Sequence, residues 1–327
     1  MGLTTAPVGL RPKRRADVDA AVRPRWSPRA GVRSVALAAS LAALMAIVSS
    51  CASTGAAPWV CPTSRFRSPK PLVIAHASSA YFGPPNTVAM MRAAVNAGAD
   101  IVDADVRITA DGVLVAAHDD DLRSMTGTTG SIRTKTLAEL RTFDAARTWP
   151  GPNHDYPLRG HGVTVATVEE ILNAFPHRRV SLELKTTGGE QSLCRLLRRL
   201  HRTTDVYVGS AGDAAAETFS AICPEVAITV TDAVFATIRN VRATGTPWCS
   251  PSPLAQPPFS AGGRTLTAET VRWDHEHGMA VYTWTIDDPS TLTAAAAAGV
   301  DGVFTGRPDI ARAIFDSQVS HDRVLRP

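Results

Sequence analysis

Charged side chains stand two residues apart in two short apolar stretches of the sequence. Asp103 and Asp105 interrupt the run 101–106, and Glu183 and Lys185 end a second run. Side chains alternate along a β-strand, so residues two apart share a face. A charge inside a strand that is covered on both sides is costly unless it is paired or bound to a metal. The spacing therefore indicates a functional site on two neighbouring strands.

Two histidines stand at the ends of other predicted strands. His76 follows the run 72–75, and His118 follows the run 113–117. A single histidine at a strand end is more often structural than functional. In a barrel of parallel strands, however, active sites lie at the carboxyl ends of the strands. We therefore expect both histidines, the three carboxylates and Lys185 to converge on one rim.

These residue types together suit the cleavage of a phosphodiester. Asp103, Asp105 and Glu183 offer the oxygen ligands that Ca²⁺ or Mg²⁺ prefers, and such an ion would neutralise a phosphate. The two histidines can share the general base and general acid roles near neutral pH. Lys185 would add a point charge for the phosphate or the leaving oxygen. The sequence thus predicts a divalent metal, Ca²⁺ or Mg²⁺, as cofactor.

The elements that would position these residues alternate between strands and helices. Strands are predicted at 72–75, 101–106, 113–117, 180–184, 206–208, 226–230, 280–284 and 302–304, and helices at 87–97, 167–175, 192–202, 214–222, 233–243, 267–277 and 290–298. Strands separated by helices pair in parallel through crossovers. Eight strands in this length predict an α/β fold, a TIM (β/α)₈ barrel, as a single domain over residues 71–320. A dinucleotide-binding fold is disfavoured, since no Gly-x-Gly-x-x-Gly follows a strand.

One connection is too long for a simple turn. Residues 119–164 are rich in Gly, Pro, Thr and Asp, with a short helical pattern near 137–143. Long connections in compact domains are often functional. We expect a small insertion after the third strand that lies over the top of the barrel.

The N-terminus has the pattern of an export signal. Eight Lys or Arg residues precede a 14-residue apolar run, 35–48, which is short for a membrane-spanning helix. Small residues and Cys51 close the run, as in the lipobox of bacterial lipoproteins. We predict a signal peptide over 1–50, a lipid-modified Cys51, a tether over 51–70 and a domain at the extracytoplasmic face of the membrane, in the cell envelope. An uncleaved anchor helix is the alternative.

The basic leader accounts for the basic balance of the whole chain. Residues 1–50 hold eight Lys or Arg and two Asp, a net charge of +6, whereas the full chain carries +4 and the remainder about −2. No basic stripe with interleaved aromatic residues is left after the leader, so we expect no nucleic-acid partner. We expect a small-molecule or lipid-derived phosphodiester as substrate, a membrane contact through the N-terminal lipid and no obligate protein partner.

Four cysteines remain once Cys51 is assigned to lipid: Cys61, Cys194, Cys223 and Cys249. Outside the cytoplasm, four cysteines are typical of two disulfides, which can form in three pairings. We favour Cys194–Cys223, because the two lie in or beside consecutive crossover helices, and this leaves Cys61–Cys249. Buried free thiols are the alternative.

The same segments resemble the glycerophosphodiester phosphodiesterase family, block by block and in order. The matching blocks are VIAH (73–76), PNT (85–87), AGADIVDADV (97–106), TADGVLVAAHD (109–119), LELK (182–185), YTWT (282–285) and GVDGVFT (299–305). The resemblance covers roughly residues 72–315. It implies a (β/α)₈ barrel with a small insertion, a divalent metal and two catalytic histidines.

The resemblance also implies a role for each matched residue. His76 and His118 would be the acid–base pair, and Asp103, Asp105 and Glu183 the metal ligands. Lys185 would face the phosphate, and Trp284 would line the pocket for the substrate's alcohol. The expected reaction is metal-dependent hydrolysis of glycerophosphodiesters to glycerol phosphate and an alcohol. A phospholipase D-type lyase that forms a cyclic phosphate, and an inactive phosphodiester-binding lipoprotein, are the alternatives.

The sequence departs from the family pattern at five positions, which indicates a divergent member of the family, and the lipobox makes it a lipoprotein-type member. Ala77-Ser78 replace the usual Arg-Gly, Pro85 replaces Glu, and Asp103 replaces the longer Glu. Gly306 stands where Asp usually follows the last threonine. Loss of an arginine that grips phosphate with two hydrogen bonds predicts weaker substrate binding.

Overall fold

The computed structural model describes residues 59–77 and 79–324, with side chains up to residue 317. The predictions for the signal peptide over 1–50 and for Cys51 fall outside these residues. Within them, every helix is too short or too polar to cross a membrane.

Strands and helices alternate along most of the described chain. The strands are β1 Leu72–Ala75, β2 Ile101–Ile108, β3 Leu114–Ala116, β4 Val180–Leu184, β5 Val206–Ser210, β6 Ala227–Ile228, β7 Leu254–Ala255, β8 Ser260–Ala261, β9 Arg264–Thr265, β10 Ala280–Thr283 and β11 Gly302–Thr305. The helices are α1 Val88–Asn96, α2 Arg123–Thr126, α3 Leu137–Leu140, α4 Val168–Ala174, α5 Glu190–Arg199, α6 Asp213–Ile222, α7 Asp232–Thr244, α8 Ala268–Glu276, α9 Pro289–Ala297 and α10 Pro308–Val324. A short 3₁₀ turn, Ile132–Thr134, precedes α3.

Eight of the strands form a nearly closed parallel barrel. Their order is β6-β5-β4-β2-β1-β11-β10-β7, and a parallel bridge between Thr229, just after β6, and Leu254 of β7 brings the two edges together. The backbone N–H of Val230 donates to the carbonyl of Leu254 at 2.9 Å across the same seam. The predicted (β/α)₈ barrel is confirmed.

The identity of one barrel strand was predicted wrongly. The run 113–117 forms β3, which pairs antiparallel with β2 and lies off the barrel path. A turn of five residues joins β2 to β3, too few for the crossover that parallel pairing needs. The remaining barrel strand is β7, whose two residues, between Pro253 and Gln256, are too few to show an alternating pattern.

Local signals explain where several helices begin. Thr87 caps α1 by accepting from the N–H of Met90, and Thr167 forms a capping box with Glu170 at the start of α4. Asp288 caps α9 just before Pro289, which has the backbone angle that the first helical turn requires. These caps also fix the ends of the loops that carry the site residues before α1 and α9.

The segment 59–70, part of the predicted tether, packs against the amino end of the barrel. Phe66 is fully buried in a cluster with Tyr207, Tyr282 and Ile74 inside the barrel. The buried carboxylate of Asp301, just before β11, accepts from Arg67 Nε and from the N–H of Ser68, both at 3.0 Å. This end of the barrel is therefore closed by side chains.

Both predicted disulfides are confirmed. Cys61 is bonded to Cys249, with the Cα atoms 5.5 Å apart, and Cys194 to Cys223, with the Cα atoms 5.7 Å apart. The first ties the segment 59–70 to the loop before β7. The second joins α5 to the end of α6.

The insertion 119–164 follows β3 and has a small core of its own. Leu122, Ile132 and Leu140 are fully buried against Val115 of β3. Trp149 Nε1 donates to the carbonyl of Ala80 at 2.6 Å, which ties the insertion to the loop after β1. The insertion thus lies beside the barrel rim, and the expectation that it covers the top is only partly met.

Candidate active site

The pairing of β2 with β4 places three carboxylates side by side. The two strands run parallel, with Asp103 opposite Ser181 and Asp105 opposite Glu183. His76 directly follows β1, which pairs with β2 on the other side. The register therefore brings His76, Asp103, Asp105 and Glu183 to one end of the barrel.

Asp103, like Asp105, is almost fully buried. Its Oδ2 accepts from the N–H of Ala77 at 3.1 Å, and the hydroxyl of Ser181 donates to it as well. Burial and the neighbouring charge of Asp105 raise the pKa of Asp103 to about 8, against these two hydrogen bonds. A buried carboxyl with this pKa favours either a proton or a metal ion.

Asp105 is held by an asparagine that the sequence reasoning did not single out. Asn86 Nδ2 donates to Asp105 Oδ2 at 2.7 Å, and the N–H of Asp105 donates to Asn86 Oδ1 at 3.0 Å. Asn86 has a φ of +58°, a left-handed conformation that asparagine tolerates better than most residues. The loop before α1 thus fixes the orientation of the Asp105 carboxylate.

Lys185 lies between two of the carboxylates. Its Nζ is 3.0 Å from Asp105 Oδ1 and 2.8 Å from Glu183 Oε2. Burial alone would lower the pKa of Lys185, but attraction to Asp105 and the hydrogen bond to Glu183 outweigh it and raise the pKa. The ammonium group therefore stays charged and neutralises part of the cluster.

His76 is largely buried beside this cluster. Burial lowers the pKa of His76 below its ordinary value, although the negative charge of Asp105 opposes the shift. The imidazole is therefore neutral near pH 7. A neutral imidazole can accept a proton.

His118 reaches the same rim by a different route. The antiparallel turn from β2 into β3 brings the chain back, and the N–H of Ala117 donates to the carbonyl of Asp105 at 2.9 Å. Arg107 holds the carbonyl of His118 with its Nε at 2.9 Å, and Asp119 Oδ1 lies 2.9 Å from His118 Nδ1. The hydrogen bond with His118 lowers the pKa of Asp119, so this carboxylate is ionised and holds the imidazole of His118 by a hydrogen bond.

One cavity of about 560 Å³ joins these groups. It is lined by His76, His118, Asp103, Glu183 and Lys185, and no residue of the insertion is among its lining residues within the described chain. Trp284, half exposed, lines the same cavity, and its Nε1 donates to the carbonyl of Gln256 at 2.7 Å. The same cavity has further apolar lining residues: Val230, Phe235, Pro258 and Phe304.

The carboxylate oxygens of Asp103, Asp105 and Glu183 are of the type that a hard divalent cation prefers as ligands. The ammonium group of Lys185 indicates where such an ion would lie. The ammonium group bridges Asp105 and Glu183, so it occupies a place that suits positive charge. Among the described residues, the three carboxylates do not bring one oxygen each to within 4.8 Å of one another. Binding an ion would therefore require Lys185 to shift. Cys194, Cys223 and Glu225 do meet that distance, but the two sulfurs are in a disulfide.

The position of the family's usual arginine is closed to a longer side chain. Ala77 is fully buried, and its N–H is bonded to Asp103. An arginine there would have to displace the surrounding core.

The sequence did not predict three further residues of the rim, because each forms its hydrogen bonds with residues that are distant in sequence or on a neighbouring strand. Asn86 bonds to Asp105 across 19 residues, and Ser181 bonds to Asp103 from the neighbouring strand. Asp287 Oδ1 accepts from Thr305 Oγ1 at 2.9 Å and from the N–H of Gly306 at 2.7 Å. The available sequence signal was that Asn86 lies within the PNT block (85–87) and that Asp287 follows the YTWT block (282–285) by two residues.

Comparisons with known proteins agree with this geometry. The model of the glycerophosphoryl diester phosphodiesterase family matches residues 76–310 of the 327. A glycerophosphodiester phosphodiesterase of Bacillus subtilis (strain 168) is 26% identical over 253 residues, covering 73% of this chain and 84% of the relative.

Solved structures show the same fold. The glycerophosphoryl diester phosphodiesterase domain of a Mycobacterium tuberculosis protein superposes with a TM-score of 0.67 at 21% identity, covering 75% of this chain and 98% of that one. An Oleispira antarctica phosphodiesterase, solved with its product sn-glycerol-3-phosphate, has a TM-score of 0.61 at 25% identity, covering 76% and 97%.

The barrel and its rim of acids and histidines define a phosphoric diester hydrolase. The chain belongs to the glycerophosphoryl diester phosphodiesterase family. Enzymes of this family generally depend on a divalent metal ion.

Proposed function

We propose that this protein is a metal-dependent glycerophosphodiesterase of the cell envelope, which releases glycerol phosphate and an alcohol. The observation that carries the proposal is the register of β2 and β4, which aligns Asp105 with Glu183. Glu183, His76 and His118 line one cavity. All the residue types that this hydrolysis requires are present on that rim.

Asp103, Asp105 and Glu183 would hold the divalent ion, Ca²⁺ or Mg²⁺. Such an ion neutralises charge on the phosphate oxygens and stabilises the charge that develops in the transition state. Lys185, displaced from between Asp105 and Glu183, would then be free to contact a phosphate oxygen as a point charge. It would take over part of the role of the missing arginine.

His76 would act as the general base. Its lowered pKa keeps the imidazole neutral, so it can accept a proton from the attacking water. Asn86 and Ser181 hold the adjacent carboxylates in place, and so define the geometry in which the water and the phosphate meet.

His118 would act as the general acid. The ionised carboxylate of Asp119 accepts a hydrogen bond from Nδ1–H, which leaves Nε2–H to protonate the leaving oxygen. A cavity of about 200 Å³ on the insertion side is lined by His118, Asn86, Met125 and Trp149. This cavity offers the leaving alcohol a place next to its proton donor.

The test is turnover of a panel of glycerophosphodiesters by the purified domain with Ca²⁺, with Mg²⁺ and with chelator. We expect hydrolysis with one or both ions and none above the uncatalysed rate with chelator. Identification of the product by phosphorus NMR separates hydrolysis from the lyase alternative, because the lyase yields a cyclic phosphate. Absence of turnover under all conditions would favour the binding lipoprotein instead.

The envelope location rests on the leader and on Cys51, and we propose it on that basis. A single acyl chain binds membranes only weakly, so the anchor should carry two or more chains. Mass spectrometry of the N-terminus of the mature protein should find lipid on Cys51. A soluble product with an unmodified Cys51 would contradict the proposal.

A further inference from the structure

Two exposed apolar side chains begin the described chain, at the amino end of the barrel. Trp59 is about half exposed, and Val60 is mostly exposed. Both belong to the segment 59–70, which the Cys61–Cys249 disulfide ties to the loop before β7. Exposed apolar side chains that cluster, unlike single ones, indicate an interaction surface. The reaction proposed above gives this surface no role.

Two further tryptophans extend this surface. The ring of His277, directly after α8, stacks on Trp273 with the centroids 3.6 Å apart, and the rings of Trp59 and Trp248 lie 5.7 and 6.4 Å from it. Trp248 and Trp273 are each partly exposed. Three of the six tryptophans of the chain therefore gather at the amino end of the barrel. We call Trp59, Val60, Trp248 and Trp273 the aromatic surface.

Positive charge without an acidic partner lies at the same end. The guanidinium groups of Arg65 and Arg179 lie 5.1 and 4.9 Å from the centroid of the Phe66 ring, and Arg178 Nη1 donates to a backbone carbonyl before β2. None of these three arginines forms an ion pair with a carboxylate of the described residues. Glu276, at the end of α8, is also without an ion pair there. The acids in the loops before the strands are each paired with an arginine: Asp100, Asp205, Glu225 and Asp301. The unpaired charge at this end is therefore mainly positive.

The position of Cys51 in the sequence indicates what lies opposite the aromatic surface. Trp59 follows Cys51 by eight residues. Eight residues span at most about 29 Å when fully extended. A lipid on Cys51, as proposed above, would therefore keep Trp59 within that distance of a bilayer. Tryptophan is enriched where a membrane meets water, and basic side chains are attracted to anionic headgroups.

We infer that the amino end of the barrel lies against a bilayer that contains anionic lipids, with Trp59 and Val60 among the headgroups. The choice of a bilayer as the partner rests on the anchor proposed at Cys51. The contact itself rests on the aromatic surface and the arginines beside it. The catalytic rim lies at the carboxyl ends of the strands, so it would open away from this bilayer.

A second copy of the chain fits the aromatic surface less well. Most dimers of identical chains are related by a two-fold axis, which places the same patch of both copies face to face. The unpaired arginines of the two copies would then meet, and like charges across an interface cost several kcal/mol. An anionic bilayer is attracted by the same arginines.

The test measures binding to lipid vesicles by the chain without residues 1–50, in which Cys51→Ser prevents the attachment of lipid. The vesicles contain equal amounts of phosphatidylglycerol and phosphatidylcholine, or phosphatidylcholine alone. We expect binding to the anionic vesicles that weakens as salt is added, and at least about fivefold weaker binding to phosphatidylcholine alone. Trp59→Ala should weaken binding on the order of tenfold, because affinity follows the apolar area that enters the interface.

A second variant tests the same contact without a change in packing. Val60 is mostly exposed, so Val60→Asp should leave the fold intact, as thermal unfolding will show. It puts a negative charge against the anionic lipid, so it should weaken binding on the order of tenfold or more. The matched controls are Tyr156→Ala and Tyr156→Asp, at an exposed aromatic residue of the insertion. Both should bind the vesicles within about twofold of the parent chain, since this residue lies outside the proposed contact.

Fluorescence quenching by brominated lipids shows which end of the barrel meets the bilayer. The measurement is made at a lipid concentration that binds all of the protein. Quenching should decrease in Trp59→Ala and persist in Trp284→Phe, which replaces the half-exposed tryptophan of the catalytic rim. Quenching that persists in Trp59→Ala and is lost in Trp284→Phe would place the rim on the bilayer and overturn the inference.

Two other results would also overturn the inference. One is the absence of binding to the anionic vesicles, or binding that the Tyr156 variants weaken as much as Trp59→Ala does. The other is a dimer in sedimentation equilibrium that Trp59→Ala dissociates, because the occupant would then be a second copy. The proposed anchor fails separately, if mass spectrometry of the natural protein finds Cys51 unmodified.

Discussion

The two histidines of the rim differ in their surroundings, and in the proposed reaction this difference gives His76 the role of base and His118 the role of acid. His76 is largely buried next to Asp103 and Lys185, and burial keeps it neutral. His118 is about half exposed and is bonded to an ionised Asp119. A neutral imidazole suits a base, and an imidazole paired with a carboxylate suits an acid.

Removing the charge of Asp119 should weaken the general acid. Asp119→Asn keeps an acceptor for Nδ1–H but removes the negative charge beside the ring, so the hydrogen bond that orients the ring becomes weaker. We expect kcat to fall roughly tenfold or more, and by less than the 10²- to 10⁴-fold expected for loss of the imidazole itself. Asp121→Asn, at an exposed carboxylate nearby, is the control and should retain full kcat. An unchanged kcat in Asp119→Asn would contradict the assigned role.

The raised pKa of Asp103 predicts how the stability of the protein depends on pH and on the bound metal ion. Its pKa in the folded, metal-free protein is about 8, above its ordinary value of 3.8, so the folded state holds this proton more tightly than the unfolded chain does. The contribution of Asp103 to the free energy of unfolding should therefore decrease as pH rises from about 4 to about 8. Ion binding requires the ionised carboxylate, so the stabilisation by Ca²⁺ should grow over that range.

Thermal unfolding at pH 5.5 and pH 8, with chelator and with millimolar Ca²⁺, measures how the stabilisation by Ca²⁺ depends on pH. The rise in Tm on adding Ca²⁺ should be larger at pH 8. In Asp103→Asn, which has no carboxyl group to ionise at this position, the rise in Tm on adding Ca²⁺ should differ much less between the two pH values. The same Tm with and without the ion at both pH values would argue against a metal site.

At the scale of elements, the closed amino end of the barrel should dominate stability. Phe66 is fully buried against Tyr207, with the ring centroids 5.6 Å apart. Phe66→Ala should cost about 3–5 kcal/mol in denaturant unfolding, because it leaves a cavity in a packed interior. Val60, 77% exposed in the same segment, is the control, and Val60→Ala should change stability by less than about 0.5 kcal/mol. A cost below about 1 kcal/mol for Phe66→Ala would show that this end is not packed as described.

The long elements could be predicted from the sequence because their patterns are local. The strands β1, β4 and β11 and the helices between them follow from apolar runs, caps and glycines. The short strand β7 could not be predicted, because two residues carry no period and only the closing of the barrel defines them.

The residues of the site likewise divide into those that the sequence predicts and those that only the folded structure shows. Asp103, Asp105 and Glu183 are visible because charge inside a strand is unusual. Asn86, Ser181 and Asp287 act through contacts between segments distant in sequence or on neighbouring strands, which only the folded chain shows.

At the scale of the whole molecule, the two ends of the barrel have different roles. Phe66 and the Cys61–Cys249 disulfide close the amino end, and three cavities open around His76 and His118 at the other. The cavity of about 560 Å³ is lined by both histidines, and each of the other two is lined by one of them. This arrangement predicts a single phosphodiester substrate that spans all three.

We propose that this rim hydrolyses phosphodiesters by proton transfer through the two histidines. The most direct measurement is the rate of glycerophosphodiester hydrolysis by the unmutated domain and by His118→Ala, both at saturating metal. We expect clear turnover by the unmutated domain and a loss of roughly 10²- to 10⁴-fold in the variant. Equal rates in the two proteins, at the level of the reaction without enzyme, would contradict it.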